Sequence, residues 1–476
     1  MARPRSPGRL AGARTGNGRE TGFDLPASDT TDASAPVVFP WSFVAIFAFL
    51  ICIAMYAWLW IAGGRPVGWA LLLIPVLVAV SAPLFARAAR TERRFDLGGL
   101  LAVGLLLRFV ASYYRFDHAV DASAYHNVGV RLADSFRELN FGADTGAAVP
   151  GTGTLRYISG LVHVLSGSDK FGAFLIFSWI GFVGCYLLYR AFVTAVPDGD
   201  RHRYALLLFL WPSLALWPSS IGKESVMLFS LGLTALGAAR LFTRRGGGYT
   251  LGLAGIILTY LVRPHVAMIM LIAIVVALVV GRGLARPTRA LTPGSIAKAG
   301  AILVLLVAMS VFASRTADFL GIENLHPGST QQQFDKTRTN TNEGGSRFSA
   351  ADAASPLGYP QAAVTILFRP FLFEATGSDQ LATALEALGL LLLTILSWRR
   401  LLSVPSRLRA QSYVALSLAF VLVFFFVFAV ISNFGILARE RTMVLPFVFV
   451  LLSVRALTTN ARSDAPAQPV SAARSA

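Results

Sequence analysis

The sequence predicts an all-α, polytopic membrane protein: a bundle of about 12 transmembrane helices with large outer loops. Three observations carry that prediction. The 476 residues are 55% hydrophobic and only 14% charged, with a mean hydropathy of +0.61. Apolar runs long enough to cross a bilayer recur along almost the whole chain. The arginines, which dominate a net charge of +17, gather in short connections between those runs. That placement reads as membrane topology and phospholipid contact, and argues against a nucleic-acid-binding face. Both cysteines, Cys52 and Cys185, lie inside apolar runs, which speaks against a disulfide framework or a thiolate metal site.

Residues 1–40 are rich in Arg, Gly, Ser, Thr, Asp and Pro and read as a disordered tail. The tail is too long and polar before its first apolar run for an ordinary cleaved signal peptide. A multi-pass domain follows over 41–456, and 457–476 reads as a second polar tail. Expected spans cover 41–62, 66–86, 96–114, 170–194, 204–220, 222–241, 249–262, 265–281, 299–314, 381–397, 411–433 and 441–456. Four arginines, Arg87, Arg90, Arg93 and Arg94, mark the connection after the second span as cytoplasmic. The basic connections at Arg201/Arg203, Arg240/Arg244/Arg245, Arg282/Arg286/Arg289 and Arg399/Arg400/Arg407/Arg409 fall on that same side when the spans are threaded. Both termini are then expected in the cytoplasm, and the loops 115–169 and 315–358 outside.

That threading sends most of the chemistry-bearing residues to the outer side. In RFVASYYRFDHAVDASAYHNVGVRLADSF, Asp117, His118, Asp121, Tyr125 and His126 fall within ten positions. If Asp121 opens a helix, Tyr125 shares its face at i, i+4. Either acid can serve as a general base or simply start a solvated helix. His118, Asp121 and His126 can also ligate a divalent metal, although their spacing matches no standard zinc site. Arg156 follows in the same loop.

WPSLALWPSSIGKES (211–225) breaks a helix twice and sets tryptophans at the interface. Ser219 or Ser220 can cap a helix starting near Gly222, which places Lys223 and Glu224 in its first turn, a phosphate seat or a snorkelling lysine. In LVRPH (261–265), Pro264 divides two apolar runs and leaves Arg263 and His265 at the break. The 315–358 loop, centred on STQQQFDKTRTNTNEGGSRFS, is a lid over a polar substrate or an insertion. Residues 360–373, with Arg369 and Glu374, read as re-entrant or interfacial. Finally, SNFGILARERTMVLPF (432–447) sets Arg439, Glu440 and Arg441 in an outer connection, against the positive-inside bias. Phosphate binding or a weak surface ion pair accounts for them.

An acid at the outer end of an early span, in a large outer loop continued by an amphipathic helix, resembles the GT-C class of polyprenyl-phosphate-dependent glycosyltransferases. The DxxxY of Asp121–Tyr125, the WPS–GKE break, RPH and the NFG–RER segment also resemble bacterial membrane proteins grouped with that class. The likeness covers the layout from about residue 96 to 456, with two further spans before the acid. O-antigen and exopolysaccharide polymerases share a large late outer loop and outer arginines, and a flippase or transporter shares the broken helices. The resemblance implies an inverting transferase of the cell membrane that serves envelope glycan assembly. Its donor would be a polyprenyl-phosphate-linked sugar, and its acceptor a glycan, lipid or protein. Lys223, Arg263, Arg439 and Arg441 would hold the phosphate, and Asp121 or Asp117 would take the acceptor proton. Tyr125, His126, Arg156, Glu224, His265 and Arg369 would complete the substrate contacts.

Overall fold

The computed structural model describes residues 39–62, 67–281 and 357–456, with isolated positions between 300 and 355. The two tails and most of both the 315–358 loop and the expected span at 299–314 lie outside them. The described chain is built of α-helices: α1 Trp41–Ile61, α2 Gly68–Thr91, α3 Leu97–His118, α4 Val120–Arg137, α5 Thr152–Ser166, α6 Lys170–Ala195, α7 Arg201–Leu210 and α8 Pro212–Leu216. These are followed by α9 Lys223–Phe242, α10 Gly248–Val262, α11 Pro264–Val280, α12 Gly358–Phe368, α13 Ser378–Leu396, α14 Trp398–Leu402, α15 Val404–Arg407, α16 Ser412–Phe428 and α17 Phe434–Ser453.

The centre is a close-packed set of α3, α6, α9 and α10, and glycine explains the closeness. A Cβ on Gly184 of α6 would stand 2.5 Å from the α9 backbone, and one on Gly237 of α9 would stand 2.3 Å from Gly252 N of α10. Lipid tails are as apolar as leucine, so helices in a bilayer gain from close backbone approach rather than from excluding water. Small polar groups add to this contact: Ser112 and Ser178 hydroxyls meet at 2.6 Å between α3 and α6, and Thr259 bonds Ser230 at 3.0 Å between α10 and α9. The α3 span also buries Arg108 completely, where it donates to the Gly104 carbonyl at 3.0 Å and to Cys185 Sγ at 3.1 Å. An ionisable group inside a span faces the protein interior for this reason.

The two ends of the bundle differ. One gathers the arginine-rich connections, tied by Arg201–Glu92 (3.2 Å), Arg400–Asp200 (3.0 Å) and Arg407–Asp198. The other carries the C-termini of α3 and α10 and the N-termini of α9, α11, α13 and α17. There α4 and α5 pack against each other in the stretch that the sequence marked as a polar loop.

The expected count of about twelve spans is corrected. Among the described residues six helices are long and apolar enough to cross a membrane: α1, α2, α3, α6, α9 and α13. The physical reason is that several apolar runs are broken or too short to cross, and are partly buried against protein instead. The run at 204–220 breaks at Trp211-Pro212 into α7, of 10 residues, and α8, of five. α10, α11 and α16 are apolar but only 15, 17 and 17 residues long. α17 has 20 residues yet carries Arg439, Glu440 and Arg441 in its first half. The chain is thus an all-α multi-pass membrane protein with several membrane-length helices, and much of its remaining apolar surface is buried against protein.

Candidate functional site

At the end of the bundle away from the basic connections, two helix breaks and two helix starts converge. Asp121 opens α4, and Tyr125 lies one turn on along the same face. Residues after Trp217 leave the helical path and re-enter it at Gly222, the N-cap of α9, with Lys223 and Glu224 following. Its cap carries no side-chain hydrogen bond; the Ser219 hydroxyl turns back instead to the Ala215 carbonyl at 2.5 Å. The expected serine cap therefore does not form at Ser219. Arg263 is extended between α10 and α11, where Pro264 occupies the first turn and prevents continuation.

These segments enclose a polar cavity of about 120 Å³ lined by Arg115, Asp121, Tyr125, Lys223, Glu224, Arg263 and Arg439, among others. Arg439 Nη1 bonds Asp121 Oδ2 at 3.0 Å, and its Nε lies 3.8 Å from Glu224 Oε1. Glu224 also receives Arg263 at 3.2 Å, and Arg263 pairs in turn with Glu440. Lys223 Nζ reaches Thr152 Oγ1 at 3.4 Å, and Tyr125 bonds the same threonine. Burial, then the negative charges of Asp121 and Glu224, push the Tyr125 phenol up, so it stays protonated. Four cations and two carboxylates line the cavity, with Glu440 behind Arg263, an excess of positive charge suited to an anion.

Beside the pocket runs a groove of about 990 Å³ between α3, α8, α13 and the start of α17. Its walls are mainly apolar, with Leu107, Val110, Leu210, Leu216 and Ile436 among them. Tyr114 and Asp379 hydrogen-bond across its mouth at 3.0 Å. Arg115, Asp121 and Arg439 line both cavities.

Of the residues marked by sequence, Asp121, Tyr125, Lys223, Glu224, Arg263 and Arg439 meet in the pocket. Asp117 is exposed at the end of α3 and lines neither cavity; its charge acts on Lys170. His126 Nδ1 lies 2.7 Å from His163 Nε2, between α4 and α5. Burial, then the charges of His163 and Lys170, push the His126 imidazole down to about 4. Arg156 donates to the carbonyls of Thr145 (3.0 Å) and Gly146 (2.6 Å), shaping the turn before α5. His265 packs 5.7 Å from the Phe428 ring. Arg369 holds Glu374, with Nε 3.0 Å from Oε1, and lies over the rings of Phe348 and Phe434. Arg441 is 2% exposed and donates to the Ile366 carbonyl at 2.7 Å and to the Arg369 carbonyl, closing the end of α12. His118 bonds the Tyr114 carbonyl at 2.7 Å and stacks on its ring, apart from His126. Among the described residues no three His, Cys, Asp or Glu side chains are grouped to hold a metal ion.

Sequence reasoning missed Arg115 and the groove-side role of Trp217. The signal was there: Arg115 ends an apolar run at the end of the bundle away from the arginine-rich connections, as unexpected for positive-inside bias as Arg439. No protein-family model matches the chain, and no curated protein or solved structure does.

Proposed function

We propose that the chain is an integral membrane glycosyltransferase that takes a sugar from a polyprenyl phosphate at the outer face of the cytoplasmic membrane, for cell-envelope glycan assembly. The observation that carries this reading is the junction at which the polar pocket and the apolar groove share Arg115, Asp121 and Arg439. A prenyl chain matches the groove, and a phosphorylated head matches the cationic pocket at its end. Cation-rich pockets of low dielectric stabilise charge that develops on a leaving group.

In the step, an acceptor hydroxyl oxygen attacks the anomeric carbon and its proton passes to the Asp121 carboxylate. The bond from that carbon to the phosphate oxygen breaks, and the electron pair leaves on the phosphate. Lys223, Arg263 and Arg439 offset the charge that appears there. A phosphate needs little protonation to depart, so a single carboxylate suffices, unlike the pair required in glycoside hydrolysis.

The test is lipid-linked glycan analysis in host cells with the intact gene, a deletion and Asp121→Ala. Loss of one glycan linkage in both lesions, with build-up of the same polyprenyl-linked sugar, is expected. A deletion phenotype that Asp121→Ala does not reproduce would remove the catalytic assignment and favour a carrier of lipid-linked glycans, which would use the same groove.

A further inference from the structure

Arg115 differs from the other two arginines of the pocket. Arg263 is matched by Glu224 and Glu440, and Arg439 by Asp121 and Glu224. Arg115 is only 7% exposed, yet among the described residues no carboxylate lies within ion-pair distance of it. Its Nη1 reaches the His118 carbonyl at 3.5 Å, the outer limit of a hydrogen bond, and its buried Nε has no hydrogen-bond partner among the described residues. A guanidinium carries five N–H donors, and leaving them unmatched inside protein is costly. The group is nonetheless held in place. Its Cζ lies over the Trp217 ring, 4.8 Å from the ring centre, and the Arg439 Cζ is 5.6 Å from the same centre. Two cations thus share one indole at the line where pocket and groove meet.

The donors that the protein leaves unused match an acceptor-rich anion arriving from outside. A planar guanidinium fork suits two oxygens of one phosphate, and stacking on an aromatic face fixes the plane of that fork. The groove leading away from Arg115 supplies apolar walls for a long tail, which inorganic phosphate would not use. We propose that Arg115, set on Trp217 and backed by Arg439, is the seat for the phosphate of a lipid phosphate whose tail lies in the groove. This rests on the reading of pocket and groove as a donor site and adds the residue that fixes the phosphate. A purely structural arginine at the C-terminus of α3 would bind nothing.

The experiment measures binding of farnesyl phosphate, farnesol and inorganic phosphate to the purified full-length chain in nanodiscs. Wild type, Arg115→Gln and Arg115→Lys are compared, with thermal unfolding as the check on folding. Wild type binds farnesyl phosphate more tightly than either fragment. Arg115→Gln weakens that binding on the order of 10-fold or more, as loss of a charge-assisted bond implies, and leaves farnesol unchanged. Arg115→Lys recovers part of the loss. Equal binding of farnesyl phosphate by wild type and Arg115→Gln overturns the proposal, as does wild-type binding no tighter than that of farnesol. Inorganic phosphate binding as tightly as farnesyl phosphate overturns the lipid assignment. Should Arg115→Gln not fold, a farnesyl phosphate analogue with a photoreactive group beside the phosphate decides on wild type. Labelling around Trp217 is expected, and labelling confined elsewhere overturns the seat. Binding is read without transfer, so an intact seat with no effect of Asp121→Ala on glycans counts against the transferase and not against the seat.

Discussion

Arg439 in the first half of α17 donates to Asp121 at the start of α4 at 3.0 Å, joining residues 318 positions apart in the chain. The same guanidinium leans towards Glu224, 3.8 Å away. On the proposed function, an incoming phosphate would compete with both carboxylates for Arg439, and loading of the pocket would free Asp121 to accept a proton.

Asp121 is 58% exposed on its side chain, and such ion pairs contribute about 0–1 kcal/mol to stability. Asp121→Asn is therefore expected to leave thermal unfolding almost unchanged while transfer falls by about 10²-fold or more, the scale of a lost general base. Paired melting and glycan-transfer measurements check this; a large melting shift would mark Asp121 as structural.

The Glu224–Arg263–Glu440 cluster behaves in the opposite way. Its side chains are 8%, 11% and 11% exposed, so removing one partner strands a buried charge. Arg263→Ala is expected to destabilise by about 3–5 kcal/mol, read as a clear fall in melting temperature in detergent. Unchanged melting would show that water compensates the two carboxylates.

The His126–His163 pair predicts a stability change with pH. Both imidazoles are pushed below the ordinary histidine range, chiefly by burial, with His126 down to about 4. As pH falls below about 6.5 the unfolded chain takes up protons that the folded pair refuses. Stability is thus fully present above about 6.5 and declines towards pH 4. Lys170 and Arg137 are the cations facing the pair. Melting temperature against pH should slope over that range in wild type and flatten in His126→Gln.

Glycine packing gives a test of the core. Gly237→Val forces a side chain against the α10 backbone and is expected to destabilise by about 1–3 kcal/mol or more. Gly389→Ala in α13, where a Cβ meets nothing within 4 Å among the described residues, should be neutral or stabilising by up to about 1 kcal/mol. Equal behaviour of the two variants in thermal unfolding would contradict the close approach of α9 and α10.

Several features of the site were legible because they are local. The Pro in LVRPH and the Trp-Pro pairs break helices by their own covalent geometry, so Arg263 and Lys223 could be placed at helix ends from sequence. The i, i+4 relation of Asp121 and Tyr125 needs only a helix. Arg441 and Arg439 show where this stops. They lie two positions apart in RER, yet one bonds backbone carbonyls at the end of α12 and the other enters the pocket. A two-residue step turns a helix by about 200°, so which arginine meets a ligand depends on what packs on each side.

The sequence alone determined that this is an all-α membrane protein and that its polar chemistry gathers away from the basic connections. Hydropathy and arginine placement act on each segment separately, through its transfer from water to lipid. Only the tertiary structure decided how many of the described helices have the length to cross, and that Arg115 rather than Arg441 stands at the junction, with no carboxylate within ion-pair distance among the described residues. Those outcomes depend on long-range packing, which assigns apolar runs to lipid or to protein and arginines to carbonyls, carboxylates or a cavity.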